Sequence, residues 1–211
     1  TTCELAKLED LPQKPNALPQ KAQHLLVRAI ADGKIGKKIT TTIDSKKQDF
    51  ANDLALKYAR FYASNYINNV AILVLNTKSG EVVSYVGNVE LQQKQSNQFV
   101  DIIAANRSSG SLLKPFLYAA MLSDGAFLPH SLVSDIPTRI GGYAPENFEK
   151  KYEGVVPAST ALAHSLNIPA VRNLQEYGLE QFYSVLQKIG FTTINKTANH
   201  YGLSLILGGA E

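Results

Sequence analysis

The chain has 211 residues, 45% of them hydrophobic and 18% charged, with 21 basic against 18 acidic residues and a net charge of +3. That is a globular composition, large enough for one sizeable domain and too balanced for a disordered segment or a nucleic-acid footprint. A single cysteine, Cys3, excludes an internal disulfide and a cysteine metal cluster, and no stretch reaches the ~18 apolar residues of a membrane helix.

Residues 1–38 read as a linker or tether. The opening TTCELAKLEDLP is not a natural initiator and carries no signal-peptide pattern, so the chain is expected to be a piece of something longer, with any anchor upstream. One cysteine fits a cytosolic protein and an exported bacterial domain without bridges equally well. LPQKPNALPQ, with three prolines in ten residues, reads as extended. In AQHLLVRAIADGK, Leu25, Leu26, Ala29 and Ile30 have helical spacing and Gly33 supplies a stop. KIGKK at 34–38 reads as a solvated turn.

The main domain is expected over 39–211. ITTTID at 39–44 is alternating and β-branched, so a strand is predicted there. Asp44 or Ser45 can cap a helix running to about Asn65, with Phe50, Leu54, Tyr58, Phe61 and Tyr62 on its apolar face. NVAILVLNTKSGEVVSYVG reads as a β-hairpin around NTKSG, its first arm apolar enough to be buried on both faces. Residues 88–100 are polar and loop-like. LLKPFLYAAMLSDG predicts a helix starting near Ser111, with Pro115 tolerated in its first turn and Gly125 ending it. Residues 126–156 read as loop, with GGYAPENF an ordered turn. PASTALAHSLNIPAVRNLQEYG predicts two helical pieces separated by Pro169, and LEQFYSVLQKIG an amphipathic helix ending at Gly190. Two clear strands cannot make a stable sheet alone, so further strands are expected downstream of Glu211.

Two short constellations carry chemistry. Ser111 and Lys114 are three residues apart, on one face of a helical turn. A serine hydroxyl needs a base to become a nucleophile, and a lysine can be that base if burial lowers its pKa. Leu112, Leu113, Phe116 and Leu117 offer that burial, Gly110 allows close approach of a substrate, and a helix N-terminus offers N–H groups to an oxyanion. Ser-x-x-Lys also arises by chance about once in 200 residues, and a capping serine beside a solvated lysine has the same spacing. Ser165 and Asn167 stand two apart in a break between helices, where they can face a cleft or simply cap the adjoining helices. His24, His130, His164 and His200 are scattered, with no carboxylate or cysteine at ligand spacing, so no metal is expected, and His164 reads as a surface or packing residue. No phosphate loop is present.

The two constellations, in this order, resemble the penicillin-binding proteins and serine β-lactamases, which carry S-x-x-K, S-x-N and K-T-G. GSLLKPFLYAAML, DIPTRIGGYAPENFEKKYEGVVPASTALAHSLNIPAVRNL and YGLSLILGGAE are similar to the transpeptidase domain of bifunctional class A penicillin-binding proteins, most of all the 1C type, over about residues 39–211. The resemblance implies an α+β, β-lactamase/transpeptidase-like fold: an antiparallel sheet with a helical subdomain. It implies Ser111 as the acylated nucleophile, Lys114 as its base, Ser165 as a proton relay and Asn167 as a ligand of the substrate amide. Arg107, Tyr143 and Asn147 would support the cleft. The implied activity is D-Ala-D-Ala transpeptidation of peptidoglycan stem peptides, with β-lactams as acylating ligands and no cofactor. An upstream glycosyltransferase domain, a membrane anchor and an extracytoplasmic location are implied as well; a nucleic-acid partner is not.

The sequence departs from the pattern in two places. The second motif is S-L-N rather than S-D-N, as penicillin-binding proteins allow. Lys196-Thr197-Ala198 mimics the third motif but precedes YGLSLILGGAE, so the true K-T-G and its strand are expected beyond Glu211. A hydrolytic relative, either carboxypeptidase or β-lactamase, and a non-catalytic β-lactam sensor or cell-wall scaffold are the alternatives.

Overall fold

A computed structural model describes residues 21–89, 97 and 99–209. The extended reading of LPQKPNALPQ and most of the 88–100 loop lie outside these residues. The chain divides into two compact units, Thr1–Ala105 and Asn106–Glu211.

In the first unit, α1 (Gln23–Ala31) ends where Gly33 adopts φ +76°. It buries His24 and Ala29 rather than Leu26 and Ile30, which are exposed, and Arg28 Nη1 donates to Tyr85 Oη. α2 (Ser45–Tyr62) is capped by Asp44, whose Oδ1 accepts from Lys46 N and Lys47 N at 3.0 Å each, and it continues as a 3₁₀ turn over Ala63–Asn65.

The helical period of α2 is as expected, but its buried face is not. Phe50 and Phe61 are 68% and 70% exposed, and Tyr58 and Tyr62 are exposed too. The buried stripe is Gln48, Ala51, Ala55 and Ala59. Small side chains let the helix backbone settle close to the sheet. Gln48 then acts like a neighbouring strand: its Nε2 donates to Tyr85 O (3.0 Å) and its Oε1 accepts from Tyr85 N (2.8 Å). A polar side chain with both ends satisfied is buried at little cost.

β1 (Ile72–Leu75) pairs antiparallel with β2 (Val82–Val86), with a register shift between Val74 and Leu75. The turn is held by Asn76 Oδ1, which accepts from Lys78 N, and by Gly80 at φ +73°. β2 is the buried arm. β1, expected to be buried on both faces, leaves Leu73, Val74 and Leu75 exposed, because β2 is its only strand partner among the described residues. Residues 39–44 form no strand, although Asp44 has extended dihedrals. Asp44 N donates to Val83 O and Thr42 Oγ1 to Val82 O, and no regular ladder follows.

In the second unit, α3 (Lys114–Ser123) is followed by β3 (Leu132–Asp135) and β4 (Gly154–Pro157), paired antiparallel from Leu132↔Pro157 to Asp135↔Gly154. This hairpin falls where loop was expected. Each strand is only four residues long, and the connection between them carries no short hairpin turn. α4 (Ala158–Ala163), α5 (Asn167–Tyr177), α6 (Leu179–Lys188), α7 (Ala198–Tyr201) and a 3₁₀ turn over Gly202–Leu207 complete the unit. Leu113, Val171, Leu174, Phe182, Leu186 and Leu205 form its fully buried centre. The helix break lies at His164–Leu166, and Pro169 sits inside the first turn of α5, where no intrahelical partner for an N–H is lost. The architecture is α+β, with small antiparallel sheets and a helical block.

Candidate active site

The site is assembled on α3 and on the break between α4 and α5. α3 begins at Lys114, three residues later than expected. Ser111 lies in the preceding turn, tied by Leu112 N to Ser109 O and by Lys114 N to Ser111 O. Pro115 falls in the first helical turn. Ser111 is exposed, whereas Leu113 and Lys114 beside it are buried.

Lys114 is 4% exposed, and its Nζ donates to Ser165 O at 2.7 Å, Ser165 Oγ at 3.2 Å and Asn167 Oδ1 at 2.7 Å. Among the described residues it makes no hydrogen bond to Ser111 Oγ. Burial pushes the lysine down from its ordinary 10.5 to about 8. The ammonium has three donors and here meets three oxygens. The Ser165 carbonyl and the Asn167 amide oxygen can only accept. The Ser165 hydroxyl can also donate, so it alone can return a proton to a neutral amine.

The sequence 161–167 makes this geometry. Leu166 N donates to Ala161 O and Ser165 N to Leu162 O, the paired bonds of a Schellman motif. The left-handed position of that motif usually holds glycine. Here Ser165 occupies it at φ +52°, at a cost of about 1–2 kcal/mol. The chain reverses within two residues, which brings Ser165 O and Oγ and Asn167 Oδ1 to one nitrogen.

α5 starts at Asn167, and none of its first N–H groups is left unpaired. Leu166 N is used in the Schellman motif, Asn167 N and Ile168 N donate to Asn147 Oδ1 at 2.9 and 3.2 Å, and Pro169 has no N–H. Asn147, from the GGYAPEN turn, is therefore a buried cap for the helix that carries Asn167. Tyr143 is half-buried and bridged to Ile140 through both backbone groups, and burial raises its hydroxyl pKa. Arg107 is exposed and has no ion pair among the described residues. Gly110 adopts φ +52° with open space where a Cβ would stand.

Three residues of this arrangement gave no signal in the sequence. Ser108 Oγ donates to Gly208 O at 2.7 Å, and Gly208 lies so close that a Cβ on it would meet Gly110 Cα and N at 2.9 Å. The glycine-rich tail thus packs on the turn that carries Ser111. Asp135, fully buried at the end of β3, accepts from Asn147 Nδ2 at 2.7 Å. A pair of glycines in an apolar tail hints at close backbone approach, but nothing in the sequence says to what. Lys196 and Thr197 precede α7 and lie on no strand, which fits their exclusion as a third motif. Among the described residues, no group of three potential metal ligands occurs and no helix is long and apolar enough to cross a membrane.

The chain is similar to known proteins in sequence and in fold. Penicillin-binding protein 1C of Escherichia coli (strain K12) is 36% identical over 93% of the chain, and penicillin-binding protein 1F of Bacillus subtilis (strain 168) 31% identical over 83%. The chain spans about a quarter of the length of these two relatives, 25% and 24%. Among solved structures, the penicillin-binding protein PonA1 of Mycobacterium tuberculosis superposes with a TM-score of 0.65 at 21% identity, covering 99% of this chain and 51% of that one. Penicillin-binding protein 1A of Haemophilus influenzae superposes with a TM-score of 0.54 at 30% identity, covering 67% of this chain and 21% of that one. The family model of the penicillin-binding protein transpeptidase domain matches residues 70–203, a stretch that contains Ser111, Lys114, Ser165 and Asn167, and the chain belongs to that family.

Proposed function

We propose that this chain carries the nucleophile, base and relay of a serine D,D-transpeptidase acting on peptidoglycan stem peptides. The observation that carries the reading is the buried Lys114 amine, held against Ser165 and Asn167 from 51 and 53 residues away. A structural lysine has no need of burial; a base working near neutral pH does. In this reading Ser111 Oγ attacks the carbonyl carbon of the penultimate D-alanine and passes its proton to neutral Lys114. An ester forms, the C–N bond to the terminal D-alanine breaks, and the departing amine takes a proton delivered through Ser165. An amine of a neighbouring stem then attacks the ester, forms the cross-linking amide and returns the serine oxygen its proton. Asn167 Nδ2, now on Glu146 O, and Gly110 would meet the substrate backbone. Arg107, Tyr143 and Asn147 would support the cleft. No cofactor is needed for this chemistry.

A β-lactam would acylate Ser111 by the same attack and remain bound. In this reading residues 39–211 would form part of the transpeptidase domain and residues 1–38 would lead into it. The full-length protein would stand outside the cytoplasmic membrane on an anchor, with a glycosyltransferase domain upstream. The test is intact mass of the full-length gene product after incubation with penicillin. A stable adduct, absent in Ser111→Ala, is expected. Rapid release of hydrolysed drug would indicate a hydrolytic relative, and a folded protein without any adduct would refute the acyl-serine reading.

A further inference from the structure

The Asn167 end of α5 is held by the Asn147 side chain, which is itself held by Asp135. Asp135 ends β3 with 0% exposure, and its carboxylate can only accept hydrogen bonds. Oδ1 accepts from Asn147 Nδ2 at 2.7 Å and Oδ2 from Glu153 N at 2.8 Å. The same Asn147 Nδ2 donates to Lys151 O at 2.9 Å, and Asn147 Oδ1 accepts from Asn167 N and Ile168 N.

An amide is nearly symmetric in shape and asymmetric in charge. Turned over, Asn147 would aim its NH₂ at two backbone N–H groups and its oxygen at a carboxylate and a carbonyl. Asp135 makes the wrong orientation costly. From Asn147 the linkage continues to Asn167, whose Oδ1 accepts from Lys114 Nζ and whose Nδ2 donates to Glu146 O.

We propose that Asp135 is a positioning residue for acyl transfer: its carboxylate fixes the orientation of the Asn147 amide, and through it the placement of Asn167 against Lys114. This rests on the transpeptidase reading of Ser111, Lys114, Ser165 and Asn167 given above. Asp135 accepts from Asn147 Nδ2 and Glu153 N and makes no hydrogen bond to Lys114. It acts through an acceptor pattern that only a carboxylate supplies at that position.

The test is an isosteric exchange in the full-length gene product. In Asp135→Asn, the new amide must turn one N–H toward either Glu153 N or Asn147 Nδ2, so every arrangement leaves two donors facing each other. In the double variant Asp135→Asn/Asn147→Asp, the amide at 135 donates to the carboxylate at 147. Glu153 N, Asn167 N and Ile168 N all keep acceptors, while Lys151 O loses its donor and faces a carboxylate oxygen in its place. Two readouts apply: the first-order constant of acylation at saturating fluorescent penicillin, separated from its binding constant, and deuterium uptake by the backbone of residues 165–170.

The single variant should lose about tenfold or more in the first-order constant, because small displacements of reacting groups are costly. It should also exchange the Asn167 and Ile168 amides faster. The double variant should recover part of both, because one acceptor–acceptor contact at Lys151 O remains. If Asp135→Asn does not fold, recovery of a folded, acylating double variant is the same result. Acylation within about twofold of wild type with unchanged exchange would overturn the proposal, as would a double variant no better than the single. If the wild-type protein is not acylated at all, the transpeptidase reading falls and the exchange readout alone decides the role of Asp135.

Discussion

Raising the pH from 8 to 10 should stabilise this protein through Lys114. Burial holds the lysine near pKa 8 in the native state against 10.5 ordinarily. Below pH 8 both folded and unfolded chains carry the proton, and folding bears the full cost of burying a charge. Between 8 and 10.5 the native amine has lost its proton while the unfolded one keeps it. The unfolded state then binds more protons, so stability rises with pH. Each pH unit inside that window contributes about 1.4 kcal/mol, so the gain from pH 8 to 10 is about 2–3 kcal/mol. The buried hydroxyls of Tyr85, Tyr143 and Tyr177 have raised pKa values and act with the opposite sign only above pH 10. Urea unfolding at half-unit steps from pH 7 to 10, for wild type and Lys114→Met, isolates the contribution as a difference. Parallel profiles for the two proteins would refute the depressed lysine. Acylation by penicillin should climb from pH 7 through the lysine pKa of about 8 and level off above about pH 9 if the neutral amine is the base.

Three other outcomes are expected. Ser165→Gly and Ser165→Ala both lack the hydroxyl, but only glycine is at ease at φ +52°, so thermal unfolding should find the glycine variant about 1 kcal/mol more stable while both lose acylation. Gly208→Ala would drive a Cβ into Gly110 at a backbone φ of +107°; a loss of about 1–3 kcal/mol is expected in urea melts, with slower acylation at Ser111. Phe182→Ala empties the centre of the second unit and should cost about 3–5 kcal/mol by the same melts.

Some of this architecture could be read directly from residue order. Helix ends were legible because their signals are local: Asp44 caps α2, Pro115 enters the first turn of α3, and Gly190 follows α6. Faces were not, because they depend on what an element packs against. In α2 the aromatic stripe of Phe50, Tyr58 and Phe61 carries far more apolar side-chain area than three alanines. Yet Ala51, Ala55 and Ala59 are buried, since only small residues let the helix approach β2 and let Gln48 reach Tyr85. The β3–β4 pair was hidden because Val133 and Val156 meet across a long connection rather than across a short hairpin turn. At the candidate site, Lys114, Ser165 and Asn167 stood out by motif, and Asn147 by its place in GGYAPEN. Asp135 looks like any loop carboxylate until its hydrogen bonds are known.

The first hairpin has a consequence for handling the protein. β1 pairs with β2 along one side only, and its other side offers free backbone donors and acceptors among the described residues. The run Ile72–Leu75 is wholly apolar, uncharged and free of proline, and three of its four side chains face solvent. Such an edge is a template for strand addition, so in the 211-residue chain taken by itself self-association at high concentration should begin here. Val74→Lys would place a charge on that template, and light scattering of the variant should stay flat at concentrations where the wild-type signal rises.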